Sequence, residues 1–399
     1  MIKDAYVQLL NQKNANQPPS QCLPSFNSSV NPTMSTSLNR SGFNLIGYAT
    51  SPTGLGEDLR CFAELLEKLQ IPFSIVDLPT DSSGKMVLSY TKLIKEQFAT
   101  SIFFMSPMEC QKNAERYPAL FSTGSLKIGY FLWELPDFPD QYLPALKLVD
   151  QIWCPTKFVQ AAFMSKSKQL TLTIPLPVIQ AKPSGRDFRK ELNIPENAFV
   201  GLFMFDVRST LNRKNPQGVI EAFELFSEGK EDAFLILKIN RWQGLDKNEL
   251  SWLPNNPKIK VLTKVLEPSE LADLYPSANY YLSLHRSEGF GRTLVEALQH
   301  GLWVVATDYS GPADYLNEKN SKIVNWLPQT VLKGDYPYNH FSMWADPIVS
   351  DAVTALESLY QEEEWRRSPG AAQSGQAYSV EALSQKYQGI IRAYTKPPN

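Results

Sequence analysis

The sequence predicts an α/β protein built as two Rossmann-like domains, and three observations carry that expectation. From residue 43 onward, short apolar runs alternate with amphipathic helical stretches, the pattern of a parallel sheet covered on both faces. The alternation restarts near residue 198, after a stretch around 176–190 that carries proline, glycine and charge and reads as an inter-domain linker. A length of 399 residues also suits two domains of roughly 100–200 residues each.

The elements follow in order. Residues 1–40, rich in Asn, Ser, Gln and Pro, bury little apolar surface and are expected to be a flexible leader. A first domain is expected over 41–183. In it "FNLIGYA" reads as a strand, "GEDLRCFAELLEKLQ" as an amphipathic helix and "FSIVDL" as the next strand, with "SIFFMS", "KIGYFLW" and "QIWCP" after them. A second domain is expected over 184–378, with strands "AFVGLFMF", "AFLILKI", "KIKVLT", "YYLSLH" and "WVVATD" and helices "NPQGVIEAFELFSE" and "PSELADLYPSA". Residues 379–399 read as a C-terminal helix free to pack back on the first domain.

Composition narrows the class. With 43% hydrophobic and 20% charged residues the chain is ordinary globular protein. A formal net charge of −2 gives no reason to expect a nucleic-acid partner. No apolar run approaches the ~18 residues that span a bilayer, and no signal-peptide pattern opens the sequence, so a cytoplasmic protein is expected. Cys22, Cys61, Cys110 and Cys154 lie far apart and read as isolated thiols, not as a disulfide frame or metal site.

In open α/β sheets, ligands bind beyond the carboxyl ends of the strands, and four constellations fall there. In "YYLSLHRSEGFGRTLVEAL" the strand ends near Leu284 and a helix starts near Arg292. Gly289 and Gly291 let the backbone approach a ligand, and the helix N-terminus favours an anion such as a diphosphate. Glu288 would repel phosphate and makes sense facing hydroxyls, while Glu296, about one turn inside the helix, can accept both hydroxyls of a ribose. Spacing alone also fits a plain βα turn with two solvated glutamates. In "FDVRSTLNRKNPQGVIEAF", Asn215 and Pro216 suit an N-cap and first helical position. Arg213 and Lys214 then stand at a helix entrance, where a diphosphate could be neutralised. In "YATSPTGLGEDLR", Gly54 and Gly56 precede a helix expected near Glu57, with Leu59 where a dinucleotide fingerprint would want a third glycine. In "GYFLWELPDFPDQY", Trp133, Glu134 and Pro136 follow a strand end.

The stretch "SEGFGRTLVEALQHGLWVVATDYSGPADYL" resembles the E-x7-E element of retaining glycosyltransferases of the GT-B fold, particularly glycosyltransferase family four. That resemblance implies two Rossmann-like domains with parallel sheets facing a central cleft, the donor mainly on the second domain and the acceptor on the first. It gives Glu288 the donor-sugar hydroxyls, the amides of Gly289, Phe290 and Gly291 the diphosphate, and Glu296 the nucleotide ribose. Arg292 stands where many relatives carry an uncharged residue, and Arg292 and Thr293 are counted with the donor-binding helix start. The 205–223 stretch is similar to the family's pyrophosphate-binding loop, with Lys214 the best match and Arg208 or Arg213 its partner arginine. Gly54, Leu55 and Gly56 correspond to the glycine-rich loop near the donor phosphate and acceptor. Many relatives place a histidine of the first domain near the reacting sugar. Here the histidines are His285, His300 and His340, all in the second half, and Glu134 is the substitute candidate. Residues 334–348, "GDYPYNHFSMWADPI", resemble a segment of polysaccharide-assembly members, with no chemistry attached.

The expected activity is therefore a retaining, metal-independent hexosyl transfer from a nucleotide-diphosphate sugar, GDP-mannose or a UDP-hexose. The acceptor would be a glycan or lipid-linked glycan of surface polysaccharide biosynthesis. No cofactor is expected beyond the donor as substrate. Peripheral contact with the inner face of a membrane is left open, although no strongly basic amphipathic helix calls for it. The competing readings are a nucleotide-sugar epimerase of the same build, a non-catalytic partner subunit, and an NAD-dependent oxidoreductase, which lacks its full glycine fingerprint.

Overall fold

The apolar runs of the sequence become two all-parallel sheets in the computed structural model, which describes residues 39–51, 53–79, 98–122, 125–207, 209–240, 252–338, 341–362 and 368–395. The first sheet holds β1 (Asn39–Gly47), β2 (Phe73–Asp77), β3 (Phe98–Phe104), β4 (Leu126–Tyr130), β5 (Gln151–Cys154) and β6 (Leu170–Thr173), in the order β2-β1-β3-β4-β5-β6. The second holds β7 (Phe199–Asp206), β8 (Ala233–Asn240), β9 (Ile259–Leu262), β10 (Tyr280–Ser283), β11 (Trp303–Thr307) and β12 (Ser321–Val324), in the order β12-β11-β10-β7-β8-β9. Each sheet reverses its winding once, at β1/β3 and at β7/β10. Such switch points open a crevice beyond the strand ends.

Two differences from the sequence reading concern elements near the cleft. The helix expected from Glu57 begins at Gly54 and runs to Lys68, because Thr53 caps it, its side chain accepting from Gly56 N. Gly54, Leu55 and Gly56 are therefore its first turn and not a preceding loop. A Cβ on Gly56 would stand 2.4 Å from Ser51 O and 2.5 Å from Tyr48 O, so that glycine seats the helix against the end of β1. The segment after β12 folds back as an antiparallel hairpin of β13 (Trp326–Thr330) and β14 (Met343–Pro347). Its Val331, Tyr336 and Trp344 are buried in a cluster with Phe103, Phe131, Trp133 and Phe138 of the first half of the chain. Burial on the order of 2 kcal/mol per large apolar side chain holds it there.

The chain's final helix, Val380–Ala393, crosses back to the first sheet. It lies against the Gly54–Lys68 helix, with Leu383 and Ile391 in the first sheet's core. Arg392 donates to Leu69 O at 2.7 Å, and Tyr394 donates to the Gln151 side chain at 2.6 Å. At the two crossings between the halves, Val178 N donates to Tyr378 O at 2.9 Å. Cys61, Cys110 and Cys154 are buried free thiols. Among the described residues no helix is long and apolar enough to cross a membrane. Residues 1–38, nearly all of the expected leader, lie outside the described residues, as do Arg208 and His340.

Candidate functional site

The second sheet's switch point brings together the charges that the sequence separates by more than seventy positions. After β7 the chain makes a short helix, Leu211–Lys214, and turns at Asn215, whose φ of 52° and ψ of 51° are left-handed. Asparagine tolerates that conformation better than most side chains. Asn215 also caps the next helix, Pro216–Ser227, and its amide donates to Leu284 O at 2.9 Å, tying the exit of β7 to the exit of β10. Arg213 and Lys214 are thereby aimed at the loop after β10.

There they meet Glu288. Arg213 Nη1 lies 2.9 Å and Lys214 Nζ 2.5 Å from its two carboxylate oxygens, and Glu288 is 6% exposed. Burial alone would raise the Glu288 carboxyl, but Arg213 and Lys214 outweigh it and hold it at about 2. Burial opposes the Arg213 charge as well, and Glu288 with Glu134 reverses that and pushes the guanidinium further up. Arg213 Nη2 reaches Glu134 at 3.6 Å, so the first-sheet loop joins the same network. Tyr336 of the hairpin donates to the other Glu134 oxygen, and the Ser287 hydroxyl donates to Glu134 O. Buried Arg213 Nε and the buried Ser51 hydroxyl near the Gly54 helix start have no partner among the described residues. A buried donor without an acceptor points to a ligand or water that supplies one.

The loop's backbone is fixed from several sides. Ser310, itself at a left-handed φ of 65°, accepts from Glu288 N at 2.8 Å and donates to Tyr309 O at 2.6 Å. His285 Nε2 lies 3.3 Å from the same Tyr309 O. Burial pushes that imidazole down to about 4, against the pull of Glu288, so it is neutral at pH 7. Thr156 donates to Gly289 O at 2.8 Å, and a Cβ on Gly289 would stand 2.8 Å from Trp133 O. Glycine at 289 is what lets the two halves meet backbone to backbone.

The remaining sequence candidates are placed as follows. Phe290 turns inward against Tyr315 and Tyr378, with ring centroids 5.9 and 5.6 Å away. Gly291, φ 80°, caps the Arg292–Gln299 helix. Thr293 accepts from buried Tyr281 at 2.8 Å and so supports the core side of that helix. Arg292 pairs across the halves with Asp58 and approaches Cys61 Sγ at 3.6 Å. Burial raises the Asp58 carboxyl, and Arg292 draws it back. Glu296 accepts from Tyr275, which stacks on His300 at 4.8 Å, and burial raises the Glu296 carboxyl against the Tyr275 bond. Tyr275, Tyr336 and Asp58 escaped the sequence reading, and no local pattern marks them.

The chain superposes on sucrose-phosphate synthase from Thermosynechococcus elongatus with a TM-score of 0.64 at 14% identity, covering 88% of this chain and 98% of that one. It superposes on HepE from Anabaena, in complex with UDP and glucose, with a TM-score of 0.62 at 15% identity, covering 88% and 100%. A glycosyltransferase from Rickettsia africae gives 0.61 at 13%, covering 90% and 100%. This is the GT-B fold. Residues 186–325 match the family model described as glycosyl transferases group 1, a span that holds Arg213, Lys214, Glu288 and Glu296. No curated protein matches the chain in sequence.

Proposed function

We propose that the protein is a retaining glycosyltransferase of family four, moving a hexose from a nucleotide-diphosphate sugar to a glycan or lipid-linked glycan acceptor. The observation that carries this reading is the Arg213–Lys214–Glu288 cluster at the β7/β10 switch point, beside the glycine turn that opens the Arg292–Gln299 helix. Two adjacent cations with an unused Arg213 N–H can take a diphosphate as it leaves. Glu288, ionised at any pH above about 2, cannot donate a proton. It can accept from sugar hydroxyls and so orient the ring for attack. Glu296 accepts from the Tyr275 hydroxyl, a bond that a ribose diol would replace.

The donor is a UDP-hexose or GDP-mannose; HepE, a structural neighbour, has been solved with UDP-glucose. Leaving-group stabilisation by Arg213 and Lys214 makes a bound metal unnecessary, and the expected setting is cytoplasmic assembly of surface polysaccharide. Glu134, held between Arg213 and Tyr336, takes the place of the histidine that the resemblance leads one to look for.

Thermal shift against UDP, GDP, ADP, their sugar conjugates and NAD tests the reading, because a ligand that binds only the folded state raises the melting temperature. One nucleoside diphosphate should shift the wild type. Glu296→Ala should reduce that shift, whereas Glu288→Ala should keep or enlarge it and lose transfer. Equal transfer activity in both variants and the wild type ends the assignment.

A further inference from the structure

The hairpin after β12 carries, besides Tyr336, aromatic side chains that the transfer chemistry does not use. Tyr338, 37% exposed, stands where the hairpin tip meets the first-sheet loop 133–142. Its ring centroid is 6.1 Å from Tyr142 at 85°, 6.3 Å from Trp133 at 40° and 6.0 Å from Tyr336 at 76°. Two partly exposed rings therefore meet at nearly a right angle, backed by two buried ones. The corner is fixed on both sides. Trp133 donates its indole N–H to Asp137 O at 3.0 Å, and Ser342 of the hairpin donates to the Asp137 carboxylate at 3.1 Å. Inward, the strip ends at Tyr336, whose hydroxyl donates to Glu134 and so reaches the Arg213–Glu288 network.

We infer that this corner is a saccharide subsite for the acceptor, formed jointly by the first-domain loop 133–142 and the second domain's inserted hairpin. A pyranose presents apolar C–H faces and a rim of hydroxyls. An aromatic wall takes the face, and carboxylates such as the exposed Asp137 accept from the rim, the mix of apolar lining and few polar groups that small-molecule sites use. Buried Tyr336 joins the back of the corner to Glu134 through its hydroxyl, so a sugar on the outer rings would lie next to the charged network. The strand register sets a bilayer apart as an occupant. Thr330 pairs with Met343 on one face, Gln329 with buried Trp344 on the other. By that alternation exposed Met343 lies on the face opposite buried Trp344, and Leu332 and Phe341, just beyond the strand ends, are exposed as well. The inference rests on the glycosyltransferase reading for the acceptor's role.

The experiment is calorimetric titration of the full chain, saturated with the nucleoside diphosphate that stabilises it, with mannotriose, maltotriose, cellotriose and chitotriose. One trisaccharide should bind. Tyr338→Ala and Tyr142→Ala should each weaken it about tenfold, as expected when an aromatic anchor is removed. Tyr338→Phe should restore it, and the nucleotide thermal shift should be unchanged in all three. Absence of binding by every trisaccharide overturns the subsite, as does wild-type affinity in Tyr338→Ala. Loss of phosphatidylcholine-vesicle binding in Tyr338→Ala without loss of saccharide binding also overturns it, in favour of a lipid surface. If no nucleotide shifts the wild type but a trisaccharide titrated alone binds through Tyr338, the subsite stands and the transferase reading falls.

Discussion

Glu288→Gln removes one negative charge from between two cations while keeping the side chain's size. The size of the effect can be worked from the site in two ways. The carboxyl is held at about 2, against an ordinary 4.5. At 1.36 kcal/mol per tenfold change in proton affinity, that gap corresponds to about 3 kcal/mol of charge stabilisation. Independently, removing one partner of a buried ion pair costs about 3–5 kcal/mol, because the other charge is left uncompensated. Glu134, at 3.6 Å from Arg213, remains to absorb part of it, so the lower end applies. For a domain of this size about 3 kcal/mol lowers the melting temperature by roughly 6–12 °C. The same variant should respond more strongly to a nucleoside diphosphate than the wild type, since the ligand supplies the missing negative charge. Thermal melts with and without nucleotide read both effects. A variant that melts within a degree or two of the wild type and gains nothing extra from nucleotide refutes the argument that Glu288 holds Arg213 and Lys214 in balance.

Three further outcomes follow from other contacts. Arg292→Ala should destabilise by about 3 kcal/mol by stranding Asp58 in the interface, and adding Asp58→Asn should recover more than half, a double-mutant cycle read by chemical denaturation. Gly289→Ala places a methyl group 2.8 Å from Trp133 O, a backbone atom that cannot swing aside. It should cost about 1–3 kcal/mol and enlarge the radius of gyration seen by small-angle scattering. His285 has a folded pKa of about 4, below its ordinary 6.5, so the folded state binds fewer protons. Its contribution, about 3 kcal/mol, is present above pH 6.5 and lost as pH falls toward 4. A plot of melting temperature against pH should be flatter in His285→Gln across that window.

The parallel core strands were legible because each is a short apolar run bounded by turn residues, and "YYLSLH" followed by two glycines marked the end of β10 without help from the rest of the chain. What escaped were edges. β6, "LTLT", and β12, "SKIV", are short and half polar, as edge strands covered on one side are. The hairpin hides its strands behind Pro328 and Pro347, residues that ordinarily argue against a strand. Glu288, Lys214 and Arg213 could be picked out because each stands beside a helix start at a strand end. The partners that give them their properties could not. Asp58 pairs with Arg292, and Tyr336 with Glu134, through folding of distant segments that no local pattern encodes. The start of the Gly54–Lys68 helix was misplaced by three residues because two glycines look like a loop, whereas Thr53 caps the turn that contains them.

The return of the Val380–Ala393 helix to the first sheet sets an order in time. The last strand of that sheet ends at Thr173 and the helix begins at Val380, so 207 positions of chain separate the sheet from the layer that completes its core. At ribosomal rates of roughly 5–20 residues per second, the first sheet waits about 10–40 s with the seat of Leu383 and Ile391 uncovered. The half that is made first is thus finished last, and the Phe62–Trp153 side of its core stays exposed to solvent until the second half has emerged.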